Sequence, residues 1–134
     1  GVAALDILEK ERYRIDSSRV WAISNLEEVK FNLKATGYPE DKLVFVEGRV
    51  EETLKHRLPD QIALLRLDTD WYESTRIELE TLFPLMSSRG IVIVDDYGDW
   101  LGAREAVDEY FPPGNPQTPF LNRIDHSGRL VLVP

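Results

Sequence analysis

Two short apolar runs, each followed at once by aspartate, most constrain what this chain can fold into. The first run spans residues 63–67 and stops at Asp68, and the second spans 91–94 and stops at Asp95 and Asp96. Short runs of β-branched and aliphatic residues bounded by glycine or polar residues predict strands that are buried on both faces. In open α/β sheets the ligand crevice lies beyond the carboxyl ends of parallel strands. We therefore expect these carboxylates to converge at one edge of the sheet.

Carboxylates brought together in this way would repel each other strongly unless a cation or a proton lay between them. We expect no Lys or Arg of either motif to compensate the charge, so a divalent metal is the simplest resolution. Mg²⁺ and Ca²⁺ take oxygen ligands, which Asp68, Asp95 and Asp96 would supply. The alternative for each residue is a helix cap or a solvated rim. Zinc is disfavoured because cysteine is absent and His56 and His126 are far apart.

Length and charge narrow the function classes. A chain of 134 residues is one domain by size, and we predict a single domain over residues 1–134. The 24 acidic residues outnumber 16 basic ones, which argues against a nucleic-acid partner. No stretch approaches the ~20 apolar residues that span a membrane, and no export signal is found. We expect a cytoplasmic protein that binds neither nucleic acid nor membrane.

Strand and helix patterns alternate along the chain. Asn25 is placed to cap a helix that Gly37 ends, and Pro84 should kink or end a later helix early. The predicted order is a helix at 2–12, a strand at 19–24, a helix from 26, a strand at 43–46, a helix at 50–57, the strand at 63–67, a helix at 72–87, a turn at 88–90, the strand at 91–94, a helix near 103–110, and a hairpin of 121–124 with 130–133. These βα units predict an α/β fold with a Rossmann-like, doubly wound, mostly parallel sheet and a C-terminal antiparallel hairpin.

A long run of motifs resembles the macrocin O-methyltransferase family. The matching segments are Leu65–Thr75, Leu82–Pro84, Gly90–Tyr97 and Ala103–Val107, with weaker flanks at 25–33 and 124–128. The resemblance implies an S-adenosylmethionine- and Mg²⁺-dependent enzyme that methylates a sugar or other hydroxyl of a secondary metabolite. The implied partner is a small-molecule hydroxyl acceptor, and a homo-oligomer is left open.

The resemblance also implies roles for individual residues. Asp68, Asp95 and Asp96 match the metal-binding carboxylates of the family, where the ion holds the acceptor hydroxyl and lowers its pKa. The donor would lie across the strand ends, with adenine beside Gly48 and Arg49. The implied cofactor-binding residues are Ser24, Glu47, Gly48, Arg49 and Asp68. A simple turn at Gly48 remains the alternative, since glycine permits both the turn and the close approach.

Other residues near these motifs have less specific interpretations. Asp70 is either a fourth ligand or a rim acid, and Trp71 and Tyr72 either wall the donor pocket or cover the sheet edge. Arg104 is interpreted as one partner of an ordinary surface pair with the aspartate four residues later in its helix. His126 is interpreted as a turn residue rather than a general base. No catalytic residue is assigned.

Three departures from the family keep alternatives open. No glycine-rich strand and turn precedes Val2, no acid ends the 19–24 strand, and no lid separates Ser24 from Asn25. We therefore expect an incomplete domain without the first strand, in which the Ser24–Asn25 junction is not covalent in the parent protein. The alternatives are a non-catalytic partial or degenerate methyltransferase-like domain and a metal-dependent phosphotransferase of the haloacid dehalogenase type.

Overall fold

Helices and strands alternate through residues 25–134, the part of the chain that this computed structural model describes. The elements are α1 (Leu26–Ala35), α2 (Val50–Thr53), β1 (Ile62–Leu67), α3 (Tyr72–Leu82), β2 (Met86–Val94), α4 (Leu101–Tyr110), β3 (Leu121–Arg123) and β4 (Arg129–Leu132), with 3₁₀ turns at Glu40–Lys42 and Phe83–Leu85. The elements predicted at 2–12 and 19–24, together with Ser24 and its junction to Asn25, lie outside the described residues. No helix between residues 25 and 134 is long and apolar enough to cross a membrane.

The four strands form one sheet in the order β1-β2-β4-β3. β1 and β2 are parallel and are connected through α3, whereas β4 runs antiparallel to both β2 and β3. The predicted C-terminal hairpin is confirmed, with β3 at the sheet edge. This arrangement is the predicted Rossmann-like α/β fold, and residues 25–134 contribute one parallel and two antiparallel strand pairs to it.

The core lies between one face of this sheet and the paired helices α3 and α4. Leu65, Val92 and Val131 are buried on the sheet, and Leu79 and Val107 are completely buried on the helices. On α3 the buried positions recur every three to four residues, as expected for a helix with one face on a sheet. The predicted helix ends at Leu82 rather than continuing to residue 87, because Pro84 forces a 3₁₀ turn.

β1 is buried on one face and not on both as predicted. Leu65 and Leu67 face the core, whereas Leu64 is 61% exposed and Arg66 is exposed as well. The reason is that α3 and α4 both cover the same side of the sheet. Within residues 25–134, the opposite side of β1 has no comparable cover.

Three predicted boundaries are also wrong. Residues 43–46 form no strand, because their backbone makes no ladder with any described strand, and Val44 remains exposed. The helix predicted at 50–57 is α-helical only over α2 and continues as turns. β2 begins at Met86 rather than at residue 91. The predicted turn lies inside β2 as a shift in its register with β1, where Arg89 has a positive φ of 64°.

The start of α1 follows its prediction. The Glu28 backbone N–H donates to Asn25 Oδ1 at 2.9 Å, as an N-cap requires. Gly37 follows the helix with a φ of 75°, a conformation that glycine adopts without a steric cost. Local sequence therefore determines both ends of this helix, although none of its residues is buried.

Candidate active site

The carboxyl ends of β1 and β2 lie side by side. Leu67 is in register with Val94, and the Asp95 backbone N–H donates to the Leu67 carbonyl oxygen at 3.0 Å. Because the two strands are parallel, the residues that follow them emerge at the same edge of the sheet. Asp68 and Asp95 are therefore brought together as expected.

Arg66 neutralises part of this carboxylate cluster, contrary to the expectation that neither motif supplies a compensating base. Its Nη1 lies 2.7 Å from Asp68 Oδ2, and its Nη2 donates to Asp95 Oδ2. Asp68 directly follows β1 and lies two positions after Arg66, as neighbours on one face of an extended chain do. The guanidinium thus spans the two strand ends. A prediction that β1 and β2 pair in parallel would have placed Arg66 beside Asp95.

Asp96 and Asp70 form a second carboxylate pair beside the first. Their side chains share a hydrogen bond, and Asp96 Oδ2 is buried without a partner. Burial and the nearby Asp70 and Asp68 carboxylates raise the pKa of Asp96 to about 7, and burial raises the pKa of Asp70. Asp70 also adopts a φ of 54°, which is uncommon for a residue other than glycine and often marks a functional site. Both carboxyls therefore bind a proton more readily than an exposed aspartate does.

The residue types at this edge are those that a hard divalent cation takes as ligands. Asp68, Asp70 and Asp95 lie near Asp96, whose Oδ2 atom is buried without a partner, and carboxylate oxygens are the donors that Mg²⁺ and Ca²⁺ require. As they stand, however, no three Asp, Glu or His side chains in the described part of the chain form a ready metal site. Arg66 already holds one oxygen each of Asp68 and Asp95. The assignment of Asp68, Asp95 and Asp96 as metal ligands stays a prediction.

The loop after β1 is anchored by a buried acid that the sequence analysis missed. Thr69 Oγ1 donates to Glu78 Oε2 at 2.8 Å, and Glu78 is only 7% exposed. Burial is the main cause that raises the pKa of Glu78 to about 7. One signal could have identified it, because Glu78 lies four residues before Leu82 on the buried stripe of α3.

A cleft of about 530 Å³ opens beside this loop. Gly48 and Arg49 line one part of the cleft, and Thr69, Trp71 and Ser74 line another. The structure thus places two predicted cofactor-binding residues next to the loop that follows β1. Asp68 directly precedes Thr69, whereas Glu47 is exposed outside the lining residues.

The backbone around Gly48 and α2 shapes the cleft. Gly48 has a φ of 140°, and a Cβ there would lie 2.9 Å from Thr53 Cγ2. Glycine suits this position because its φ lies where other residues are strained and because Thr53 fills the space that a Cβ would take, which leaves both the turn and the donor-binding interpretation open. Across the cleft, Ser74 donates to Glu51 Oε1 at 2.5 Å and links α3 to α2. This bond lowers the pKa of the Glu51 carboxyl.

The C-terminal hairpin holds the loop that carries Asp95 and Asp96. Ser127 Oγ donates to the Asp95 carbonyl oxygen at 2.7 Å, and the Gly98 N–H donates to the Ser127 carbonyl oxygen at 3.0 Å. A Cβ on Gly98 would overlap the backbone oxygen of His126 and lie 2.6 Å from Ser127 Cα. The hairpin therefore positions the aspartate loop through backbone contacts.

Two side chains near this loop make contacts that the sequence did not predict, although His126 lies in the turn as expected. His126 Nε2 lies 2.8 Å from Asp99 Oδ1, so the turn residue also ties the hairpin to the loop. Arg104 makes no pair with Asp108 within the described residues. Instead its Nε donates to the Tyr97 carbonyl oxygen at 3.2 Å, and Tyr97 Oη donates to Asp108 at 2.7 Å. Tertiary packing of the loop on α4 overrides the local spacing.

The fold and this edge of the sheet define a Rossmann-like α/β protein with a cluster of carboxylates at its strand ends. The family model described as "Macrocin-O-methyltransferase (TylF)" matches residues 5–130. The chain belongs to the macrocin O-methyltransferase family.

Similar proteins and structures carry names of the same kind. The chain is 41% identical over 91 residues to demethyldecarbamoylnovobiocin O-methyltransferase of Streptomyces niveus, which is 68% of this chain and 34% of that protein. It is 40% identical over 85 residues to 8-demethyl-8-(2,3-dimethoxy-alpha-L-rhamnosyl)-tetracenomycin-C 4'-O-methyltransferase of Streptomyces olivaceus, with 63% of this chain and 32% of that protein covered. The structure of the O-methyltransferase NovP matches with a TM-score of 0.78 at 33% identity, covering 99% of this chain and 52% of that one. The chain thus spans about a third of the length of these curated relatives and about half of the NovP chain.

Proposed function

We propose that this protein is an S-adenosylmethionine- and Mg²⁺-dependent O-methyltransferase that acts on a hydroxyl of a small molecule. The observation that carries the proposal is the convergence of four aspartates at the ends of β1 and β2, with the Asp96 Oδ2 atom buried and without a partner. The names of the relatives, which are O-methyltransferases of antibiotic-type molecules, support the same reaction. They also support a sugar or another secondary-metabolite hydroxyl as the acceptor.

The methyl donor is proposed to lie across the strand ends, in the cleft beside the loop after β1. Gly48 and Arg49 line this cleft together with Thr69 and Trp71. Trp71 is 40% exposed on the same cleft and offers an apolar wall. The proposed donor-binding residues remain Ser24, Glu47, Gly48, Arg49 and Asp68, of which Ser24 lies outside the described part of the chain.

Asp68, Asp95 and Asp96 would hold the divalent cation. When bound, that cation supplies positive charge that lowers the pKa of an acceptor hydroxyl. The chain itself fixes the geometry, because Ser127 holds the backbone of Asp95 and Glu78 holds the Thr69 loop beside Asp68. Methyl transfer is an in-line displacement, so rigid placement of donor and acceptor groups can supply much of the rate enhancement.

Calorimetric titration and mass spectrometry would test the proposal together. Protein of verified intact mass is titrated with S-adenosylmethionine in EDTA and in MgCl₂, and methyl transfer is followed with a panel of glycosylated hydroxyl acceptors. Asp95→Asn should abolish Mg²⁺-dependent transfer while circular dichroism stays unchanged. The matched control is Asp60→Asn, which removes an exposed carboxylate at the opposite end of β1 and should retain transfer.

Two outcomes would contradict the proposal in different ways. Transfer by Asp95→Asn at the wild-type rate would remove that residue from the proposed site. No binding of S-adenosylmethionine by folded wild-type protein at millimolar concentration would favour a non-catalytic methyltransferase-like domain.

A further inference from the structure

Arg66 occupies the carboxylate site that the proposed function gives to a divalent cation. We infer that Arg66 is a built-in counter-cation, which holds the strand ends together without metal and with which a divalent cation must compete. This inference rests on the proposed metal site. It adds a residue whose effect on cation affinity has a definite sign.

The contacts of Arg66 are those of a bridge rather than of a single ion pair. One guanidinium nitrogen lies 2.7 Å from Asp68 Oδ2, and another donates to Asp95 Oδ2. Arginine presents its donors in a rigid fork, so one side chain can hold two carboxylates at once. The three residues are about half exposed, with side-chain exposures of 52% for Arg66, 48% for Asp68 and 42% for Asp95. The bridge therefore lies where a cation from solvent can reach the same oxygens.

Charge balance explains why such a bridge is needed. Asp68, Asp70, Asp95 and Asp96 would carry four negative charges at one edge of the sheet if all were ionised. Like charges a few ångströms apart are strongly unfavourable where burial reduces screening by water. Arg66 pairs with Asp68 and Asp95, and a hydrogen bond joins Asp70 and Asp96. The cluster can thus stay assembled before a cation binds.

The same charge opposes a divalent cation. A cation that is ligated by Asp68 and Asp95 must share or replace the Arg66 contacts, and the guanidinium repels it at short range. Replacing Arg66 should therefore lower the stability of the metal-free protein and raise its affinity for a divalent cation. A residue that merely stabilised the fold would give the first effect without the second.

Three variants separate these possibilities. Arg66→Gln removes the charge and keeps a similar side-chain length, and Arg66→Lys keeps the charge but lacks the fork that spans both carboxylates. The matched control is Arg76→Gln, because Arg76 also bridges two carboxylates, Glu73 and Glu80, but lies on α3 outside the aspartate cluster. Magnesium affinity is measured by calorimetric titration with MgCl₂, and the melting temperature is measured in EDTA and in excess MgCl₂.

Arg66→Gln should melt several degrees below the wild type in EDTA and bind Mg²⁺ about tenfold more tightly. Tenfold is the order expected when a like charge a few ångströms away is removed from a partly hydrated site. The melting temperature and Mg²⁺ affinity of Arg66→Lys should lie between those of the wild type and Arg66→Gln. Arg76→Gln should bind Mg²⁺ with the affinity of the wild type. Equal or weaker Mg²⁺ binding by folded Arg66→Gln would overturn the inference, as would an equal change in Arg76→Gln.

A failure of the proposed function is distinguishable from a failure of this inference. If neither the wild type nor Arg66→Gln binds Mg²⁺, both the competition and the metal part of the proposed function are wrong. Binding of S-adenosylmethionine in the same samples would then leave the methyl-donor part standing. If both proteins bind Mg²⁺ equally well, only the role of Arg66 is refuted.

Discussion

Replacing Glu78 with Gln should change how the stability of the protein depends on pH. Glu78 is 7% exposed, and its Oε2 accepts a hydrogen bond of 2.8 Å from Thr69. Burial raises the pKa of Glu78 from 4.5 to about 7, and the carboxylates of Glu51 and Asp68 act in the same direction. The ionised form of Glu78 is therefore less favourable in the folded protein than in the unfolded chain.

The sign and size of the effect follow from this difference in pKa. Between pH 4.5 and about 7 the folded protein keeps a proton that the unfolded chain has released, so the free energy of unfolding falls as the pH rises. Each pKa unit corresponds to about 1.4 kcal/mol, which sets an upper limit of roughly 3 kcal/mol for the loss. Because water near the cleft screens part of this cost, we expect a loss of about 2 kcal/mol.

Urea unfolding of the wild type and Glu78→Gln at pH 5, 6, 7 and 8 would measure this loss. Asp96, whose pKa is also raised to about 7, titrates in the same window, but its contribution cancels when the two proteins are compared. Glutamine can still accept the bond from Thr69, so the variant should gain about 2 kcal/mol relative to the wild type between pH 5 and pH 8.

Glu80→Gln is the matched control, because Glu80 is exposed on the same helix and pairs with Arg76. Its difference from the wild type should be nearly independent of pH. Parallel stability curves for the wild type and Glu78→Gln would refute the argument, since they would mean that Glu78 has the same pKa in the folded and unfolded states.

Four further substitutions, one of them a control, test the contacts that support the site. Leu79→Ala should cost about 2–5 kcal/mol in urea unfolding because Leu79 is completely buried, whereas Leu64→Ala, at a side chain that is 61% exposed, should cost about 1 kcal/mol or less. Gly98→Ala should lower the melting temperature and weaken Mg²⁺ binding measured by calorimetry, since its Cβ would overlap the backbone of the hairpin turn; unchanged values for both would contradict the proposed support. Thr69→Val should cost about 1–3 kcal/mol at pH 5 by leaving Glu78 without its donor, and an unchanged midpoint of urea unfolding would show that the bond adds no net stability.

Much of the local structure could be predicted from short patterns. Asn25 caps α1 as expected, and Pro84 ends α3 early. The apolar run at 63–67 forms β1, and the polar turn after Arg123 forms the predicted hairpin. These features depend on a few adjacent residues, which is why the amino-acid pattern alone identifies them. The segment at 43–46 was wrongly predicted because a strand also needs a neighbour in the sheet.

The candidate site could be predicted in part. Asp68 and Asp95 were expected to meet because each follows a buried parallel strand, and the register of β1 with β2 confirms that they do. Arg66 was missed because its value as a counter-cation depends on which residue ends the neighbouring strand. Glu78 was missed because an acid on a helix is ordinarily exposed, and only the position of Thr69 makes its burial tolerable.

By itself the sequence determined the class of fold, the hairpin, and the aspartates at two adjacent strand ends. Alternating apolar runs and capping residues act over a few positions, so their consequences do not require knowledge of distant contacts. Only the tertiary structure decided how the acidic edge is neutralised. Arg66 joins Asp68 to Asp95, which lies 27 positions later in the chain. Ser127, in the hairpin still further along, holds the backbone of Asp95. Such contacts arise because parallel pairing and helix packing bring remote side chains within a few ångströms, where charge and hydrogen bonding determine which groups associate.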